Sequence, residues 1–147
     1  MFLKILLTLS CLNQIPTFVK LYLMADEINY KNEILFIIGS QTIIGSISDI
    51  YRLVYDYKNN LASFLKTIDI LHVSCISAPL IGYTIYSNNL NYIDNIHYSL
   101  YALLFWFNSY IIYINNADMT NSLNKLSIWN HILWHFFMGL FTYNLLS

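Results

Sequence analysis

The sequence predicts an all-α fold, a polytopic transmembrane helical bundle of about five helices forming a single unit over residues 1–147. Three observations carry that expectation. The chain is 57% hydrophobic and 10% charged, whereas soluble domains run at roughly 45–50% apolar and about 25% charged residues. Crossing roughly 30 Å of hydrocarbon takes about 20 helical residues, and apolar runs of that order fall near 3–24, 33–55, 66–87, 96–115 and 127–146. The runs do not alternate: YALLFWF at 101–107 lacks the apolar/polar alternation of a transmembrane strand.

The first run opens with Lys4 and a short apolar stretch, as a cleaved signal peptide does. Its apolar character nevertheless resumes beyond Asn13, Gln14 and Pro16, through Phe18–Met24, without a small-residue cleavage pattern. It is read as a retained but interrupted first helix. On the second helix Gln41, Gly45, Ser48 and Arg52 follow spacings of four, three and four and so share one face. Small and polar, that face suits a helix interface, and Asp49, Arg52 and Asp56 are spaced for a local ion pair at the membrane edge. On the third helix Asp69 and His72 lie one turn apart, and Pro79 predicts a bend. Asp69 is as well suited to capping the helix or pairing with Lys66 as to a catalytic role, and His72 by itself reads as a hydrogen-bonded interior histidine before a ligand. His97, beside Tyr98 at the start of the fourth helix, occupies an interfacial position and is assigned no role.

The fifth helix carries the sharpest signal. An ionisable residue inside a membrane span costs several kcal/mol, yet the last run carries His131 and His135 four residues apart, and Met138 and Thr142 continue their stripe. Two imidazoles so placed can reach one zinc ion at about 2.0–2.1 Å per nitrogen. Trp129 and Trp134 point elsewhere and read as packing or interface aromatics.

The connections between runs are short and polar, leaving no room for a soluble domain. A net charge of −1 without a Lys/Arg cluster excludes nucleic acid as a partner. Cys11 and Cys75 fall within apolar segments, where small buried thiols are commoner than disulfides or ligands. If five spans alternate, Lys4, Arg52, Lys58, Lys66 and Lys125 gather on one side with Lys20 and Lys31 opposite, which predicts the amino terminus inside and the carboxyl terminus outside. The expected location is an integral, multi-pass position in an endomembrane or the mitochondrial inner membrane.

Three fragments together resemble the CREST superfamily of membrane hydrolases, which contains the alkaline ceramidases, the progestin and adipoQ receptors and the myomaker-like group. In that superfamily an early helix carries serine followed four residues later by histidine, the next carries aspartate, and the last carries two histidines four apart. GSISDIYRLVYD at 45–56 is similar to the first, FLKTIDILHVS at 64–74 to the second and WNHILWHFF at 129–137 to the third. The resemblance implies zinc ligated by His131 and His135, Ser48 as a polar group supporting them, Asp69 as the group that positions or deprotonates the attacking water, and a membrane lipid as substrate of an amidase or esterase.

The family's first histidine ligand is replaced here by Arg52, and a guanidinium stays protonated and does not ligate zinc. Three protein ligands plus water are usual at a catalytic zinc, and His72 is the residue able to supply the third if the helices rotate to bring it in. The family has seven helices, whereas one crossing fits between the aspartate helix and the last. The expected order is a CREST-like bundle, degenerate and without intact chemistry, then an accessory subunit with protein partners in a larger membrane complex such as a respiratory assembly, then a competent zinc hydrolase.

Overall fold

The computed structural model describes residues 2–24, 28–51, 60–88, 90, 92–115 and 121–146, and among them no strand occurs. Five helical rods account for nearly all of these residues. The first rod is broken into α1 (Phe2–Ser10) and α2 (Ile15–Leu23), and the second is α3 (Lys31–Asp49). The third runs from α4 (Asn60–His72) through a π turn (Val73–Ser77) into α5 (Ala78–Ser87). A single 3₁₀ turn at Ile93–Asn95 leads into α6 (Ile96–Asn115), and α7 (Asn121–Leu145) closes the chain. The third and fifth rods begin earlier than their apolar runs, at Asn60 and Asn121, because the helices continue through the mixed polar and apolar residues that precede each run.

The break in the first rod follows from its residues. Pro16 has no N–H to give to the carbonyl four residues back, and Asn13 competes with helix through its side chain. The backbone tightens instead: the N–H groups of Leu12, Asn13 and Ile15 donate to the carbonyls of Leu9, Ser10 and Leu12 at 3.1, 3.1 and 3.0 Å. The helix restarts with Pro16 in its first turn, where a missing N–H costs nothing. Pro79 is accommodated differently. The Ala78 N–H reaches back to the Val73 carbonyl, and this widened turn carries the third rod past the proline without ending it.

α7 is the element around which the others gather. It shares its most extensive interface with α6 and holds α1 and α2 on another side, while α3 packs on α2, α4 and the π turn. The α6–α7 seam is pinned by a reciprocal pair: Ser109 Oγ donates to the Ser127 carbonyl at 3.0 Å, and Ser127 Oγ to the Ser109 carbonyl at 3.2 Å. On the other side, Thr142 Oγ1 stands 3.1 Å from Thr17 Oγ1 and 2.9 Å from Gln14 Oε1. The stripe carrying His131, His135 and Thr142 thus faces the first rod.

Polar residues share the interior with an apolar core that includes Leu7, Leu21, Ile34 and Ala62, and many large apolar residues lie outside. Ser48, Asp49, Ser127, His131, His135 and Thr142 are buried, while Phe2, Leu9, Phe36, Leu103, Phe107 and Phe136 are exposed. Two rods, Phe2–Leu23 and Asn60–Ser87, are long and apolar enough to cross a membrane, and only 17% and 11% of their most apolar stretches are buried. A core helix of a soluble protein would be mostly buried.

Candidate metal centre

Three rods converge on one buried carboxylate. Asp49, at the carboxyl end of α3, places Oδ2 2.9 Å from His131 Nε2 and 3.2 Å from His135 Nε2. The exposures of Asp49, His131 and His135 are 1, 5 and 7%. The four-residue spacing on α7 sets the two rings on one face, their centroids 4.8 Å apart. Trp134 packs on both, with centroids 4.9 Å from His131 and 4.6 Å from His135. It is therefore part of the centre's wall as well as a packing residue, whereas Trp129 is exposed.

The break in the first rod delivers the remaining polar groups. Ser10 Oγ lies 2.9 Å from His135 Nδ1 and 2.8 Å from the Leu7 carbonyl. With its one proton given to Leu7, Oγ accepts from Nδ1–H of His135. Nε2 then faces Asp49 Oδ2 at 3.2 Å, and a metal taking the place of that hydrogen bond would find Nδ1 already held by a neighbour, as in most ligating histidines. Asn13 Nδ2 donates to the His135 carbonyl at 2.6 Å. Gly139 makes this approach feasible, since a Cβ there would meet Asn13 O at 3.0 Å.

Cys11, next in sequence to Ser10, is buried. Ligand atoms of Cys11, Asp49 and His135 all lie within 4.8 Å of one another, so these residues form a group that can hold a metal ion. A carboxylate, an imidazole and a thiol in a dry interior match the donor preferences of zinc.

The other sequence-derived candidates are placed as follows. Ser48 adjoins Asp49 and is buried, and among the described residues its Oγ has no hydrogen-bond partner. Asp69 accepts from Gln41 Nε2 at 2.9 Å. It shares a cavity of about 40 Å³ with His131 and Trp134. His72 is not in the metal-capable group. Its Nε2 faces Ser40 Oγ at 3.0 Å, and its Nδ1 faces Gln41 Oε1 at 2.5 Å and Ser77 Oγ at 3.2 Å. His72 is thus held apart from His131 and His135, because α4 turns it toward the middle of α3, and the group able to hold a metal ion combines His135 with Cys11 and Asp49. Arg52 and Asp56, and with them the expected local ion pair to Asp49, lie outside the described residues.

The centre adjoins a larger cavity of about 170 Å³, lined by Cys11, Asp49 and His135 together with Leu21, Ile38, Leu80, Met138 and other apolar side chains. No protein-family model, curated protein or solved structure matches the chain. The chemistry of this centre is accordingly read from its own geometry.

Proposed function

We propose that the chain is a multi-pass integral membrane protein with a CREST-like bundle that binds one zinc ion at Asp49, His131 and His135, without the hydrolytic apparatus of that superfamily. The observation that carries the proposal is the approach of Asp49 Oδ2 to both imidazole Nε2 atoms. Ligands about 2.0–2.1 Å from a tetrahedral zinc stand about 3.3 Å from one another, and the two separations here are 2.9 and 3.2 Å. Zinc bound there would neutralise the carboxylate and join α3 to α7.

The multi-pass reading is supported by the exposed apolar surface, which extends over rods beyond the two that satisfy a length-and-hydropathy test alone. Membrane lipids are then the natural covering of Phe36, Leu103, Phe107 and Phe136. The absence of hydrolysis is supported by the commitment of His72 to Ser40, Gln41 and Ser77, and by Arg52 at the position of the family's ligand.

Metal analysis of the detergent-purified protein tests the proposal. About one zinc per chain is expected, lost in a His131→Ala/His135→Ala double variant. A well-folded sample without zinc would refute it and leave a structural membrane protein, such as an accessory subunit.

A second reading, a zinc-dependent amidase or esterase acting on membrane lipids, is favoured by the apolar cavity beside the centre. Zinc would supply Lewis-acid polarisation of an acyl carbonyl. Hydrolysis of lipid amides or esters by the zinc-loaded protein, abolished in the double variant, would establish it over the first.

A further inference from the structure

We infer that Cys11 is the fourth ligand of the centre, closing its coordination shell with a thiolate; the inference rests on the zinc reading above and decides what kind of zinc site it is. Nothing in the CREST resemblance points to a cysteine here. The placement comes from the interruption of the first rod: α1 ends at Ser10, the chain turns through 11–14, and the thiol is carried into the interior instead of along the outer face of a continuous helix. Cys11 is 4% exposed, and its sulfur belongs to the same group of ligand atoms, within 4.8 Å of one another, as Asp49 and His135.

His131 stands outside that group of three yet shares Asp49 Oδ2 with His135, so the four-donor shell completes as the metal draws its imidazole in. Four protein donors are the pattern of a structural zinc site, whereas a catalytic site keeps one position for water. As Cys11 ligates, its S–H proton leaves to water and the sulfur lone pair forms the fourth metal bond. A thiolate also selects zinc and other thiophilic ions against magnesium, calcium and manganese, which prefer oxygen.

Cobalt(II) serves as the probe, titrated into the metal-free, full-length protein in detergent on a Cys75→Ser background. The chain has two cysteines, so Cys11 is then the sole thiol and needs no alteration for the decisive reading. The expected spectrum shows intense visible bands of a four-coordinate ion together with a near-ultraviolet sulfur-to-cobalt charge-transfer band, both displaced by zinc. Adding Cys11→Ser should remove the near-ultraviolet band and weaken cobalt binding by about tenfold or more, since losing even an outer partner of a ligand costs about 10–100-fold.

Visible bands without the near-ultraviolet band, on the Cys75→Ser background, would overturn the role of Cys11 and leave the zinc reading standing. Absence of cobalt and zinc binding by protein of native helical content would overturn both.

Discussion

Asp49 is the residue on which the interior depends. A carboxylate removed from water needs partners in proportion to its charge, and here two imidazole nitrogens share one of its oxygens. Truncating one member of a buried charged cluster leaves the rest unsatisfied, at a cost of about 3–5 kcal/mol. Asp49→Ala is therefore expected to lower the stability of the metal-free protein by about that amount in detergent-denaturation curves. Asp49→Asn, which keeps a hydrogen-bonding oxygen, should lose less. Equal stability of Asp49→Ala and wild type would show that the carboxylate does not hold the rods together. His131 and His135 were legible from their four-residue spacing, but their partner was not. Asp49 lies 82 positions from His131, and its evident local partner in the sequence is Arg52. Cys11 likewise reads as an ordinary buried thiol until the turn after Ser10 gives it a direction.

Among the elements, the broken first rod does the most to shape the centre. The interruption at Asn13, Gln14 and Pro16 is readable in one dimension. Its purpose is not, because it is expressed as contacts to α7: Ser10 on His135, Asn13 on the His135 carbonyl and Gln14 on Thr142. Gly139 permits that contact. A methyl group there would meet Asn13 backbone at 3.0 Å, and backbone cannot swing aside as a long side chain can. Gly139→Ala should thus cost about 1–3 kcal/mol and weaken metal binding by displacing the turn. Gly82→Ala, inside α5 and with an added Cβ that meets nothing within 4 Å, should leave metal binding unchanged and raise stability by about 0.4–1 kcal/mol. Matching behaviour of the two variants would refute the close-approach argument. Pro79 shows a similar division: the proline marks a disturbance, while the backbone geometry that contains it, a π turn, emerges with the helix around it.

For the molecule as a whole, Asp49, His131 and His135 are buried among apolar residues while many large apolar side chains lie outside, the arrangement a hydrocarbon solvent would favour under the proposed multi-pass reading. Under the proposed multi-pass reading, five crossings would place the termini on opposite faces, and the lysine and arginine pattern predicts the amino terminus inside. Protease protection of small terminal tags in sealed vesicles is expected to shield one tag and expose the other. Tags on the same face would overturn the five-span arrangement.

The sequence by itself determined the helical class, the number of rods and their approximate limits, because apolar length and helical periodicity are local properties of a chain. It also singled out the α7 histidines, since two residues four apart on one helix necessarily share a face. Only the tertiary structure decided that Asp49 meets both histidines and Cys11 lies beside Asp49 and His135, while His72 and Asp69 reach Gln41. Such choices depend on the rotation of each rod about its axis, which is set by close packing at points such as Gly139 and by no spacing within a single helix.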